Sequence, residues 1–360
     1  MNLGHSPAPV AVVAGIFVEG ASTLGMARRR RALPIAGVDA ARPAPRTVRI
    51  SLTDRCDLAC VYCRPSRSDG YLERRLGDDA WRTMIDALVA SGVRRFRITG
   101  GEPLLHPRVV QLVRYVASQP VDDVALTTNG TRLRDLARAL REAGLRRLTV
   151  SLDSLDAARF SRITRGGKLA TVLDGVDAAL EAGFDEVKTN TVVMRGQNED
   201  ELAALTRWAW ERAIVPRFIE LMRVGEGARL APESLVGYDE MRAGLAHLVA
   251  PGEATTEPDR GPARYLLARH DPRRRVGFIT GTTHTFCQTC DRLRVASDGT
   301  LRPCLATNDG VGTMPLAERG DAVGLAGAIA EAWEKKPDGR TWKGTTEATA
   351  ADVSMRAIGG

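Results

Sequence analysis

Residues 47–63 read TVRISLTDRCDLACVYC. The run Val48 to Leu52 has the apolar, β-branched composition of a buried strand. The loop after it carries Cys56, Cys60 and Cys63 at the spacing C-x3-C-x2-C. A second triplet, Cys287, Cys290 and Cys304, has the spacing C-x2-C-x13-C, and these six are all the cysteines in the chain. Three thiolates can bind three irons of a cubane cluster and leave the fourth iron open to a small molecule. A structural cluster or a structural zinc would usually be closed by a fourth protein ligand. The spacing therefore predicts two reactive metal sites in one enzyme.

Outward from that loop the chain alternates β-rich runs with helical patterns. A helix is expected from Asp78 to Ser91 with Gly92 as its stop, then a strand from Arg95 to Thr99 leading into Gly100-Gly101-Glu102-Pro103. Helices from Pro107 to Ala117 and from Leu133 to Ala143 flank a strand from Val124 to Thr127. A strand from Leu148 to Leu152 precedes helices around Ala157 to Ile163 and Val172 to Ala182. A strand from Val187 to Met194, a helix from Glu199 to Arg212 and a strand from Arg217 to Met222 complete six βα units of about 30 residues. Such a repeat requires a parallel sheet with right-handed crossovers. Six units are fewer than the eight of a closed barrel, so the fold expected for 46–229 is α/β, a partial (β/α)6 TIM-type barrel.

Reactive groups in such folds sit at the C-terminal ends of strands. The polar motifs fall there: the first triplet, Gly100 to Pro103, Thr127-Thr128-Asn129-Gly130, Ser151-Leu152-Asp153 and Glu220. Residues 230–341 are less regular and bear the second triplet, which predicts a C-terminal domain closing the barrel mouth. Residues 1–45 are expected to be a flexible extension or an upstream start, and 342–360, rich in Thr, Ala and Gly, a mobile tail.

Bulk composition narrows the class. Cysteines without a secretory signal argue for metal-bound thiols in the cytoplasm rather than a disulfide framework. The run Ala8 to Val18 is too short to span a bilayer, and the basic cluster Arg28 to Arg31 follows it rather than precedes it. The net charge of +7 suits an anionic substrate but is spread along the chain. Aromatic residues make up only 5% of the sequence, too few for the stacking platforms of a nucleic-acid binder.

The cysteine loop, with Tyr62 just before its last cysteine, and the Gly-Gly-Glu-Pro turn resemble the radical S-adenosylmethionine superfamily. Phe286-Cys287-x2-Cys290-Asp291-Arg292-Leu293-Arg294, Cys304 after Leu301-Arg302-Pro303, and the terminal Gly359-Gly360 narrow the resemblance to the GTP 3′,8-cyclase family, over about Arg49 to Gly360. That resemblance implies a 4Fe-4S cluster on Cys56, Cys60 and Cys63, with S-adenosylmethionine facing Tyr62, Gly101, Glu102, Ser151 and Met222. It implies an auxiliary 4Fe-4S cluster on Cys287, Cys290 and Cys304 whose open iron takes the guanine edge. It implies GTP held by Arg49, Arg97, Thr128, Lys188, Arg292, Leu293 and Arg294, and Gly359 and Gly360 threading toward the active site. The implied chemistry is removal of the ribose C3′ hydrogen by a 5′-deoxyadenosyl radical and attack of C3′ on C8, the first step of molybdenum cofactor biosynthesis.

A reducing electron donor, a homodimer and product hand-off to a cyclic pyranopterin monophosphate synthase follow from the same resemblance. The chain departs from the family pattern at Asp57 and Ala59, outside the ligand positions, where little effect is expected. A peptide-modifying maturase would carry more cysteines in its C-terminal region. A diverged paralogue acting on another nucleotide is disfavoured by Arg97, Lys188 and the Arg-x-Arg run.

Overall fold

The computed structural model describes residues 44–68, 70–257, 261–337 and 355–359. Residues 1–43 of the expected extension, most of the expected tail and Gly360 lie outside the described residues.

Strands and helices alternate as β1 (Thr47–Ser51), α1 (Asp78–Ala90), β2 (Arg95–Thr99), α2 (Val109–Ala117), β3 (Asp123–Thr128), α3 (Leu133–Glu142) and β4 (Arg147–Ser151). Then come α4 (Ala157–Thr164), α5 (Leu169–Glu181), β5 (Glu186–Val193), α6 (Leu202–Glu211) and β6 (Val215–Glu220). These are the six expected units. The helix expected from Glu199 starts later because Glu199–Glu201 forms a separate 3-10 turn.

The remainder contains α7 (Glu226–Ser234), α8 (Tyr238–Gly244), β7 (Thr255–Thr256), β8 (Arg264–Leu267), β9 (Arg275–Ile279), β10 (Arg292–Val295) and β11 (Leu301–Arg302). It ends in α9 (Met314–Glu318), α10 (Ala322–Glu334) and α11 (Met355–Ile358). Among the described residues no helix is long and apolar enough to cross a membrane.

The sheet order is β11-β10-β1-β2-β3-β4-β5-β6-β9-β8-β7. β10 joins β1 in parallel and β9 joins β6 in parallel, so strands from beyond residue 230 extend both edges of the six-stranded run. β11, β8 and β7 are antiparallel additions. Residues on either side of the expected boundary thus share one sheet. Strands of four or five residues paired across 60 positions (Arg217 with Gly277) or 245 (Thr47 with Arg292) leave no local period, which is why the sequence shows no sign of them.

Alternation along each strand sends one set of side chains under the helices and the other into the lumen. Val48, Ile50, Phe96, Ile98, Val124, Leu126, Leu148, Val150, Leu293 and Val295 lie in the main core beneath α1 to α3 and α5. Trp81 and Met84 of α1 are fully buried against it. The alternate positions carry Arg49, Arg97, Thr149, Lys188, Arg217, Arg292 and Arg294. Arg294 lies opposite Arg49, and Arg49 opposite Arg97, in adjacent strands. Like charges placed directly across a sheet are destabilising, so the lumen requires a compensating partner.

Phe278 on β9 locks the C-terminal strands to the repeat. It is fully buried, 6.4 Å from the Phe218 ring on β6 and edge-on to Tyr238 at 5.2 Å. Phe278→Ala should cost about 3–5 kcal/mol in chemical denaturation of the metal-free chain. A loss under about 1 kcal/mol, an ordinary surface-like value, would mean that β9 is not part of the shared core.

Candidate active site

The first triplet lies on the loop after β1. Ala59 N and Val61 N donate to Thr164 O (3.2 Å) and Ile163 O (3.0 Å), so the end of α4 backs the loop. Cys63 N and Arg64 N both donate to Cys60 O, at 2.9 and 3.1 Å, curling the last two cysteines together. Burial, followed by the nearby Glu102, pushes the Cys56 thiol up to about 12. Metal binding must therefore release these protons.

The loop rests on the Gly-Gly-Glu-Pro turn. Gly101 N donates to Thr53 O at 2.6 Å, and Glu102 N to Arg55 O at 2.8 Å. A Cβ on Gly100 would stand 2.5 Å from Thr53 O, and one on Gly101 would collide with Arg55 O. Only glycine allows the two loops to touch.

Glu102 also braces the site. It is fully buried; Oε1 accepts from Leu104 N (2.9 Å) and Thr128 Oγ1 (2.7 Å), and Oε2 from Asn129 N (2.7 Å). Its carboxyl thus fastens its own turn to the end of β3. Thr128 likewise turns away from the lumen, because strand alternation puts it on the side of Val124 and Leu126. Its hydroxyl donates to Glu102 at 2.7 Å and accepts from Gly130 N at 3.0 Å.

The Tyr62 hydroxyl is also occupied, donating to Asp153 Oδ2 at 2.7 Å. Burial pushes the Asp153 carboxyl up to about 6. Asp57, the departure from the family pattern, accepts from Asn129 Nδ2 at 2.7 Å and Thr131 Oγ1 at 2.6 Å. Asn129, part of the strand-end motif Thr127 to Gly130 but given no role by the sequence, thus ties the cysteine loop to the end of β3. Ser151 lies at the lumen end of β4, in register with Asn190.

Inside the lumen, Arg97 pairs with Asp123 and Lys188 with Glu186 (3.0 Å). Arg49 Nη1 donates to Gly359 O (3.1 Å), and Arg294 Nη1 to Gly359 O (2.7 Å) and Ile358 O (3.2 Å). Arg217, passed over in the sequence because it opens a strand, donates to Thr149 Oγ1 at 3.0 Å. Burial first, then the neighbouring Arg294, Arg292, Arg217 and Arg97, holds Arg49 well below the usual guanidinium range. Burial and Arg292 lower Arg294 to about 10. Burial and Arg217 lower Lys188 to about 8. Such crowded cations suit an anion. Below them a cleft of about 430 Å³ opens at the start of β2 to β5, lined by Arg95, Asp123, Arg147 and Glu186 among others.

The second triplet stands at the other end of the lumen. β10 runs parallel to β1, and Cys290 precedes β10 whereas Cys56 follows β1. Roughly one strand length, about 16 Å, therefore separates the triplets. Cys287 opens a 3-10 turn, and Cys290 N donates back to Cys287 O at 3.2 Å.

Arg292 Nε donates to Cys290 Sγ at 3.4 Å, with the guanidinium 4.8 Å from the Phe286 ring centre. Burial alone would raise the Cys290 thiol, but Arg292 and Lys336 outweigh it and bring it down to about 7. Leu293 is fully buried in the main core, so its side chain is not a nucleotide contact; only its main chain borders the lumen. Met222, Cys287 and Cys304 pack against Val224, Leu305, Ala306 and Ile358. Gly359 enters the lumen at φ 75°, where a Cβ would strike Thr99. Gly360 lies outside the described residues.

The donor sets fit the implied groups. Each triplet offers three thiols, and among the described residues no three histidine, cysteine or acidic groups converge on a single metal ion. A cubane spreads its thiolates over three irons. Two lumen atoms, Arg217 Nε and Asn190 Oδ1, are buried without a protein partner, as a polar ligand would require.

The Radical SAM superfamily model matches residues 50–209, and the Molybdenum Cofactor Synthesis C model residues 214–342. A GTP 3′,8-cyclase of Pelotomaculum thermopropionicum is 42% identical over 296 residues, 81% of this chain and 91% of that protein. GTP 3′,8-cyclase 1 of Pseudomonas aeruginosa is 42% identical over 295 residues, 81% and 89% of the two chains.

The chain belongs to the GTP 3′,8-cyclase family. It is a radical S-adenosylmethionine enzyme, with a four-iron cluster and S-adenosylmethionine as cofactors. The fold has the same attribution: Streptococcus suis SuiB bound to S-adenosylmethionine aligns with TM-score 0.57 at 15% identity, over 80% of this chain and 68% of that one.

Glu102 yields a pH test. Its carboxyl moves from the ordinary 4.5 to about 7 on folding, mainly through burial. The folded state then binds the proton more tightly, so this contribution is full below the unfolded value and is lost as pH rises toward about 7. In the metal-free chain, Glu102→Gln should flatten that fall, by up to about 3 kcal/mol in urea unfolding between about pH 5 and pH 8. An unchanged profile in the variant would show that the carboxyl titrates normally.

Proposed function

We propose that this chain converts GTP to (8S)-3′,8-cyclo-7,8-dihydroguanosine 5′-triphosphate, and that the buried arginine row in the lumen is what selects a nucleoside triphosphate. Cys56, Cys60 and Cys63 would hold the first cluster, with the main chain at Gly101, together with Tyr62, Ser151 and Met222, around S-adenosylmethionine. Cys287, Cys290 and Cys304 would hold an auxiliary cluster facing the guanine. When bound, the first cluster and its cofactor would supply the radical chemistry that removes the C3′ hydrogen as 5′-deoxyadenosine; C3′ would then bond to C8, with one electron and one proton completing the product.

The protein's part is placement. Arg49, Arg97, Lys188, Arg217 and Arg294 would neutralise the triphosphate, with bidentate guanidinium contacts fixing its orientation. Arg292, stacked on Phe286 beside Cys290, stands where the base end would lie. Triplets at opposite ends of one lumen suit a substrate whose ribose meets one and whose base meets the other. Holding C3′ against C8 in near-attack geometry then supplies much of the rate. Gly359 already takes hydrogen bonds from Arg49 and Arg294, so tail and triphosphate would share those donors.

The reading includes an external low-potential electron donor, a homodimer in the cytoplasm, and hand-off of the product to a cyclic pyranopterin monophosphate synthase. It takes support from the Molybdenum Cofactor Synthesis C match. It also keeps the division into a 46–229 barrel and a 230–341 auxiliary-cluster region as functional halves of one sheet.

The test is anaerobic turnover of the reconstituted protein with S-adenosylmethionine, dithionite and GTP deuterated at C3′. Mass spectrometry should find deuterium in 5′-deoxyadenosine and a cyclised isomer of GTP. Unlabelled deoxyadenosine without a new nucleotide would remove GTP as the substrate.

A further inference from the structure

Lys336 lies just past α10. Its main-chain N–H donates to Trp333 O at 3.1 Å, which turns the chain back at the helix end. The side chain then folds over the fully buried Trp333 ring, with the ammonium 5.2 Å from the ring centre. Only 8% of the residue is exposed. The ammonium donates to Arg292 O at 2.7 Å and to Pro303 O at 2.9 Å.

Those two carbonyls are not arbitrary. Arg292 stands two residues after Cys290, and Pro303 immediately precedes Cys304. One buried cation therefore joins the two chain segments that present two of the three thiols. A neutral amide could bridge two carbonyls, and burying an ammonium is costly unless opposite charge lies close. The groups placed to supply it are Cys290 and Cys304, whose thiolates would act on the Lys336 ammonium against its burial and the neighbouring Arg292. Bound to iron, these thiols would carry net negative charge that grows on reduction.

We propose that Lys336 is a positioning and charge-compensating residue of the second cluster. By bridging Arg292 O and Pro303 O it sets the separation of Cys290 from Cys304. Its fixed positive charge, held out of water, favours the reduced over the oxidised cluster. The proposal rests on the reading that this triplet holds a cluster.

The experiment uses the full chain with Cys56, Cys60 and Cys63 replaced by Ala, so that only the second triplet can bind iron. Iron content and the midpoint potential, followed by electron paramagnetic resonance, are compared for this parent, Lys336→Gln and Lys336→Arg. Glutamine keeps a donor and removes the charge; arginine keeps the charge. The glutamine variant should lose at least about tenfold in the reduced-to-oxidised ratio at fixed ambient potential, about 59 mV for one electron, while arginine keeps the parent value. A fully loaded glutamine variant at the parent potential would overturn the proposal.

If glutamine fails to hold iron and arginine holds it, the charge is needed for assembly and the proposal stands. If both fail, Lys336 serves packing alone and the proposal falls. A parent that holds no iron would instead sink the second-cluster reading, before Lys336 is touched.

Discussion

Three arginines side by side across β10, β1 and β2 are the constraint around which the rest of this structure is arranged. Arg294, Arg49 and Arg97 occupy adjacent register positions and face a lumen with little water around them. Arg217 and Lys188 add to the same field. In water such repulsion would be slight; in a buried site it is severe. The ligand-free chain relieves it with dipoles and with two carboxylates, placing Gly359 O and Ile358 O against Arg49 and Arg294 and leaving Asp123 and Glu186 to the outer cations. Main-chain carbonyls are weak partners for guanidinium groups compared with phosphate. A polyanion entering the lumen therefore stabilises the folded chain as it binds.

The two cysteine triplets gain meaning from that arrangement. Glycines at 100 and 101 let the first cysteine loop lie on the neighbouring turn, and the Glu102 carboxyl fastens that turn to the end of β3. Asp57 and Asn129 add a second tie between the same loops. The site at this end is thus held by main-chain contacts, the buried Glu102 carboxyl and the exposed Asp57 carboxylate rather than by the thiols themselves. At the far end, β10 and β11 bring Cys290 and Cys304 together only because the C-terminal strands continue the same sheet. Two cysteine loops far apart in the chain end up at opposite ends of one cationic channel.

Much of this was legible in the sequence, for identifiable reasons. The βα repeat shows because buried parallel strands such as Arg95–Thr99 carry apolar residues at every second position and the helices end in glycine. The triplets show because cubane ligation leaves a spacing. What stayed hidden depends on long-range pairing or on which face a residue takes. β9 and β10 are too short and too distant from their partners to leave a pattern. Thr128 and Leu293 sit inside motifs that suggest nucleotide contact, yet alternation turns both side chains outward. Arg217 and Lys336 look like ordinary basic residues until the sheet and α10 bury them. Asn129 belongs to a strand-end motif the sequence does show, but its tie to Asp57 of the cysteine loop needs the fold.

If the buried arginine row selects the substrate, lumen cations, not recognition of the guanosine moiety alone, set its affinity. Calorimetric binding of GTP and of guanosine to the cluster-loaded chain, and to Arg217→Met, tests it most directly. The account predicts that GTP binds far more tightly than guanosine and that Arg217→Met weakens GTP about 10- to 100-fold, the worth of one charge-assisted hydrogen bond, while leaving guanosine unchanged. Equal affinities for GTP and guanosine, or a loss in Arg217→Met shared by both ligands, would contradict it.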